Sequence, residues 1–287
     1  MKWRCVDNLR PTLAYRLAPR PVLAKEPARV LDDLNRRGVA KTSVAALLGP
    51  HSCYDDLQQA ITALERESHD EIVAAREQSA DPALEKSFNF SHIVGRRTLA
   101  EDDVFVRFAL QRPIVAIANA YFGMYTHLRF VNVWHTFATD APARDSQLWH
   151  RDRDDRLILK LFVYLSDVDD HAGPFTYATG THAKGPTRGE PPSRAERPGG
   201  PKRTADAEMA QVVPPEQWVR ATGPAGTIVF ADTRGYHCGG LARKSDRLMY
   251  HAMFGSSASA RRADRVIHCD RRLLPHLDRA QAFALYR

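Results

Sequence analysis

The run SQLWHRDRDDRLILKLFVYLSD, residues 146–167, sets a His-Arg-Asp triplet directly before an apolar, strand-like stretch. Two chemistries use such a triplet. In protein kinases it opens a catalytic loop, and in non-haem iron oxygenases His-x-Asp supplies two of three metal ligands. The kinase loop requires Lys two residues and Asn five residues after the Asp, followed by Asp-Phe-Gly, with a glycine-rich loop upstream. Those two positions hold Asp154 and Leu157, and neither Asp-Phe-Gly nor an upstream GxGxxG occurs, which excludes a kinase. His150 and Asp152 are two residues apart, so on extended chain they share a face and can grip one ion. The best third ligand is His237, which follows GTIVFADT through the short turn RGYH. An isolated His-x-Asp is a weak signal, and the surrounding elements must decide.

From Thr126 onward THLRFVNVWHTFAT, RLILKLFVYLSDV, PFTYATGTH, GTIVFADT and RLMYHAMF are short, β-branched or aromatic, and bounded by Gly, Pro and Asp. Strands without intervening helices predict antiparallel pairing and a sandwich or jelly-roll barrel. Before them, EPARVLDDLNRRGVAKTSVAALLG, HSCYDDLQQAITALERESHDEIVAAREQ and AEDDVFVRFALQRPIVAIANAYFG carry apolar residues at helical spacing, with Pro113 fit for the first turn of a second helix. The reading is one domain over 1–287: helical support in 1–125, a β core in 126–255, and a C-terminal extension, partly helical, in 256–287. The Pro-, Gly- and Arg-rich segment at about 183–209 reads as a flexible insertion, expected to be mobile and to form part of an active-site rim.

A chain of 287 residues, 44% hydrophobic and 26% charged, can bury a full core. No run approaches the ~18 apolar residues of a membrane span, and the first residues are charged where a secretory leader is apolar, which predicts a cytoplasmic protein. Cys5, Cys53, Cys238 and Cys269 form no CxxC pair and read as reduced thiols. The net charge of +7 suits an anionic partner, but arginine is spread along the chain and no basic-aromatic cluster suggests nucleic-acid binding.

The order QLWHRD, YLSDVDDHAGPFTYATGTH, GTIVFADTRGYH and an Arg opening a last strand resembles the phytanoyl-CoA dioxygenase family of Fe(II)- and 2-oxoglutarate-dependent oxygenases, over roughly residues 126–255. The resemblance implies an α+β chain whose core is a double-stranded β-helix (jelly-roll, cupin-like) with flanking helices, mainly N-terminal. It also implies that His150, Asp152 and His237 bind Fe(II), and that an arginine some ten residues past the distal histidine holds the 5-carboxylate of 2-oxoglutarate. Arg247 occupies that place, sharing a face with Met249, His251 and Met253; Arg243, in the loop-like GGLARKSD, is the runner-up.

One departure is Gly239, where many family members carry a hydroxyl residue that helps hold the co-substrate. Another group must compensate. Lys160, the odd residue in LILKLFVYL, shares a face with Phe162 and Tyr164; facing inward it could assist the co-substrate or an acidic substrate, facing outward it is a solvated charge. Gln147 could hydrogen-bond either molecule. Asn132 and Trp134 are candidate pocket-lining residues, while Trp149, His135, His182 and His251 read as structural. Cys238 should point away from the metal, and Thr181 in TYATGTH marks a turn.

The implied reaction converts 2-oxoglutarate and O₂ to succinate and CO₂ while oxidising a substrate C–H. Hydroxylation of a small or medium-sized metabolite, lipid or sugar is the default, and Asp152 argues against halogenation, which needs that position vacated for a halide; desaturation, epoxidation, ring closure and demethylation use the same iron site and stay open. The alternatives are a non-catalytic metal- and 2-oxoglutarate-binding β-barrel acting as a sensor, or an anion-binding scaffold. An anionic substrate is suggested by Lys184, Arg188, Arg194, Arg197, Lys202 and Arg203, opposed between His182 and Ala205 only by Glu190 and Glu196. The sequence sets no oligomeric state.

Overall fold

The computed structural model describes residues 2–19, 22–50, 52–84, 86–195, 203–260, 267–268 and 276–285. Its strands are β1 (Val39–Ser43), β2 (Asn89–Ser91), β3 (Leu99–Ala100), β4 (His127–Thr136), β5 (Leu159–Tyr164), β6 (Thr176–Ala178), β7 (Trp218–Arg220), β8 (Thr227–Asp232), β9 (His237–Cys238), β10 (Arg247–Gly255) and β11 (Ile267–His268). Six form a wholly antiparallel major sheet, β1-β8-β5-β10-β4-β2, and three form an antiparallel minor sheet, β7-β6-β9. A parallel pair, β11 and β3, completes the set.

Alternation along the long strands gives the major sheet two apolar faces. Val131 and Val133 of β4, Leu161 and Val163 of β5 and Phe230 of β8 point outward and pack on helices. Phe162, Tyr164, Val229 and Met249 point the other way, meeting Phe175 and Tyr177 of the minor-sheet side. Burying each such side chain contributes roughly 1.5–3 kcal/mol, so a one-residue slip of register would forfeit several at once.

The covering helices are those the periodicity predicts. Lys25–Arg37 buries Val30 and Leu34, Tyr54–Glu67 buries Leu57, Ile61 and Leu64, and Arg112–Phe122 carries Pro113 in its first turn. The C-terminal helix Arg279–Leu285 lies outside the sheets, where Gln281 Nε2 donates to the Leu110 carbonyl and Phe283 stacks on Tyr125. Among the described residues no helix is long and apolar enough to cross a membrane. Cys5, Cys53 and Cys238 are free thiols; Cys269 lies outside the described residues.

The helical reading of the first third needs correction at GVAKTS. Gly38, at φ +82°, ends the helix with its N–H on the Leu34 carbonyl, and the next five residues leave as β1 to pair with β8. Strands β2, β7 and β9 are three residues or fewer, too short for alternation to announce them.

The insertion also packs more than its composition suggests. Thr204 pairs by both backbone bonds with Trp149, Met209 is fully buried, and short helices form at Pro192–Ala195 and Asp206–Met209. Residues 196–202, with Arg197 and Lys202, lie outside the described residues, as does the Arg194 side chain, so the expected mobility bears on a part not described.

The turn between β8 and β9 is pinned from below. Asp232, fully buried, accepts from the Tyr121 hydroxyl at 2.7 Å and from the Arg234 amide at 3.1 Å, while Tyr177 Oη donates to the Asp232 carbonyl at 2.7 Å. A Cβ at Gly235 would lie 1.9 Å from that Tyr177 oxygen. Gly235→Ala should therefore displace the turn and destabilise the fold by about 1–3 kcal/mol, read as a lower melting temperature. Adding Tyr177→Phe should recover part of the loss, and no recovery would show that the hydroxyl is not the obstacle.

Burial pushes the Asp232 carboxyl up to about 6, against the Tyr121 and backbone donors that favour its ionised form. A raised carboxyl pKa contributes stability that is present below the unfolded value near 4 and lost as pH rises through about 6. Stability measured relative to Asp232→Asn should fall across pH 4–6.5 by up to about 3 kcal/mol. A pH-independent difference would contradict this.

Candidate active site

His150 and His237 face each other across an isolated antiparallel bridge, each amide donating to the other's carbonyl at 2.9 and 3.0 Å. Asp152 joins through its amide on the Thr233 carbonyl at 2.9 Å. Residues from opposite ends of the β core thus meet at one point. One ligand atom from each of the three side chains lies within 4.8 Å of the others, with His237 Nε2 3.9 Å from Asp152 Oδ2.

The imidazoles are oriented by backbone. His150 Nδ1 lies 2.8 Å from the Leu148 carbonyl and His237 Nδ1 lies 3.0 Å from the Gly235 carbonyl. Those bonds place the proton on Nδ1 and leave Nε2 as the donor atom, the outer-shell arrangement of metal-binding histidines. Burial lowers the pKa of His150, and burial together with His150 pushes His237 down to about 3. For Asp152 burial works to raise the pKa, but Lys160, with Nζ 2.7 Å from Oδ2, and the two imidazoles outweigh it and keep the carboxyl ionised. Two neutral imidazoles and one carboxylate fit a divalent first-row cation.

The cluster opens on a cavity of ≈ 180 Å³ between the two sheets. This is below the roughly 300–1,000 Å³ of drug-sized ligand sites and suits a small acid. Arg247, Lys160 and Gln147 all line it. Arg247 is buried and donates to the carbonyls of Gly173 and, at 2.6 Å, Gly239, and to Thr136 Oγ1 at 3.3 Å. No carboxylate pairs with it among the described residues, and its Nε has no hydrogen-bond partner there. Lys160 takes the inward alternative, and the Gln147 amide nitrogen is buried without a partner among the described residues while its oxygen accepts from Arg144 N.

Other sequence candidates divide. Trp134 and His251 line the cavity, so His251 is a wall residue, stacked on Phe162, as well as a core one. Met253 packs with Phe130 and Ile158 instead of lining the cavity. Asn132 stays out of it too, because its Oδ1 accepts from the amides of Ile93 and Val94. Trp149 packs on Trp218 and donates to Asp206, Cys238 sits in that same separate cluster, and Thr181 braces its turn from Ala178 to Tyr236. His182 meets the Asn35 carbonyl. Arg243 faces outward onto the carbonyls of Thr139 and Ala141.

Of the insertion's bases, Arg203 lines the cavity, whereas Lys184 is bonded to the Tyr121 carbonyl and Asn35, and Arg188 to its own loop. Sequence reasoning missed three contributors. Thr136 braces the arginine, its hydroxyl accepting from Arg247 Nη2 at 3.3 Å and donating to Asn89 Oδ1 at 2.6 Å. Phe175 closes the wall opposite Phe162 at 4.7 Å. Glu190 accepts from Arg151 at 2.7 Å and from the Tyr236 hydroxyl, thereby holding a neighbour of each histidine in the cluster. Only three-dimensional pairing reveals these.

Antiparallel sheets with flanking helices, enclosing a His-Asp-His cluster, are the arrangement of Fe/2-oxoglutarate-dependent oxygenases. Solved structures agree at the level of fold. The epimerase SnoN, in complex with Fe3+, alpha ketoglutarate and nogalamycin RO, is 18% identical with a TM-score of 0.50, covering 83% of this chain and 87% of its own. Apo EctD from S. alaskensis is 16% identical with a TM-score of 0.52, covering 88% and 93%. No curated protein sequence matches the chain. The phytanoyl-CoA dioxygenase (PhyH) family matches residues 36–247, and the chain belongs to that family. Enzymes of this family use Fe(II), 2-oxoglutarate and O₂.

Proposed function

We propose that this protein is a dioxygenase that hydroxylates an unactivated C–H bond of a small or medium-sized metabolite, lipid or sugar, with His150, Asp152 and His237 as the iron ligands. The observation that supports it most is one cavity with a neutral-imidazole and carboxylate cluster and a buried arginine lacking an acidic partner among the described residues. When bound, Fe(II) would couple O₂ reduction to decarboxylation of 2-oxoglutarate. On this reading the two sheets are the halves of a double-stranded β-helix, in one domain with helical support before it.

The chain's own residues do the positioning. Arg247 receives the distal carboxylate of 2-oxoglutarate on Nε and the second proton of Nη2, its Nη1 being held by two carbonyls and its Nη2 also by Thr136. Lys160 adds a cation beside Asp152, and the Gln147 amide offers a donor to co-substrate or substrate. Phe162, Phe175 and Trp134 keep bulk water from the reacting centre. Lys86, Lys160, Arg203 and Arg247 line the cavity against Asp152 and Asp154, which favours an anionic substrate at the mouth beyond the co-substrate.

The test is 2-oxoglutarate turnover. Purified protein with Fe(II) and 2-oxoglutarate together should give the weak visible charge-transfer band anaerobically and release succinate in air, faster with substrate. A band without succinate under any substrate would instead support a sensor.

A further inference from the structure

We propose a second divalent-cation site, separate from the active site, formed by Glu65, His92 and His135. Glu65 lies on the helix Tyr54–Glu67, His135 on β4, and His92 just past β2, where its amide donates to the Val133 carbonyl at 3.0 Å. Nothing in the sequence groups them. Each offers one ligand atom, and these lie within 4.8 Å of one another. His135 Nδ1 and Glu65 Oε1 are already 3.2 Å apart, close to the edge of a tetrahedron with ligands at about 2.0–2.1 Å.

The independent observation is His92. His92 is only 2% exposed, yet among the described residues neither ring nitrogen has a hydrogen-bond partner. A buried imidazole without a partner loses its hydration for nothing in return, and a cation at Nδ1 or Nε2 would replace it. On the far side of His135, Nε2 lies 2.7 Å from Asp246 Oδ2, and Asp246 is itself held by Arg76 and the Ala138 amide. This is the carboxylate-histidine brace that orients a metal-bound imidazole through its other nitrogen.

The competing occupant is a proton. Burial disfavours charge on His135, but its bonds to Asp246 and Glu65 outweigh that and hold its pKa up at about 9. The neighbouring Arg96 and Arg97 are engaged with Glu71 and Glu67. A proton satisfies His135 and Glu65 but leaves His92 unbonded, whereas a cation engages all three. Two imidazoles and a carboxylate favour zinc or a similar first-row ion, and the site would clamp the helix to the β2-β4 edge.

The experiment is equilibrium dialysis of the full chain against Zn(II), with Co(II) spectra as a second readout. Wild type should bind two equivalents. Glu65→Gln and His92→Gln should bind one and keep 2-oxoglutarate turnover, while His150→Ala/Asp152→Ala should bind one and lose turnover. Zn(II) should raise the melting temperature of the His150→Ala/Asp152→Ala protein but not after Glu65→Gln is added. No loss of bound Zn(II) on going from wild type to Glu65→Gln would overturn the assignment. Glu65 is one-third exposed on a helix surface, so its variant tests the site even if His92→Gln fails to fold.

Discussion

Asp152→Ala and His150→Ala should each abolish succinate formation and lower Fe(II) affinity by more than about 100-fold, beyond the 10–100-fold typical of outer-shell partners. The two variants should differ in stability. Removing Asp152 strips Lys160 of its counter-charge in a largely buried position, and breaking such a pair costs about 3–5 kcal/mol when the survivor stays charged. His150 carries no such pair, and its backbone bridge to His237 survives truncation. Asp152→Ala should therefore also lose several degrees of melting temperature, recovered by adding Lys160→Met. The readouts are anaerobic absorbance with Fe(II) and 2-oxoglutarate, and calorimetry. A full-strength band in Asp152→Ala would remove Asp152 from the ligand set.

Arg247→Ala should raise the KM for 2-oxoglutarate far more than Arg243→Ala does. Loss of a buried, charge-assisted contact costs roughly 2–5 kcal/mol, or about 30- to 5,000-fold. Arg243 lies on the surface against two carbonyls and should change KM less than about threefold. Because Arg247 also ties Gly173 and Gly239 together, Arg247→Lys is the sharper probe. It keeps the charge but not the fork, and should fall between the two alanine variants. Small, equal effects at both arginines would place the co-substrate carboxylate elsewhere.

How much of this was legible in the sequence depends on what kind of spacing carries it. His150 and Asp152 were visible as a pair because period-two geometry acts within three residues, whereas Arg247 was singled out by the family resemblance, which implies an arginine some ten residues past the distal histidine. Lys160 was visible as an anomaly, but its direction was not, since a strand's inner and outer faces are both apolar here. β1 was hidden because VAKTS follows a helix without a change of composition, and only the positive φ of Gly38 redirects it. The cluster of Glu65, His92 and His135 and the bracing hydroxyl of Thr136 arise from cross-strand and helix-sheet contacts, which no local pattern encodes.

The insertion leaves and rejoins the molecule on one short piece of backbone: Glu190 fastens to Arg151, and Thr204 pairs with Trp149, two residues earlier. Loop length enters closure entropy only logarithmically, so these two fasteners mark a natural cassette. An engineer seeking altered selectivity has defined splice points there, after Glu190 and before Thr204, with Trp149 and Arg151 kept as the fixed sockets. Exchanging the span between them for a shorter or differently charged one would replace the cavity-lining Arg203 while leaving the backbone that carries His150 untouched.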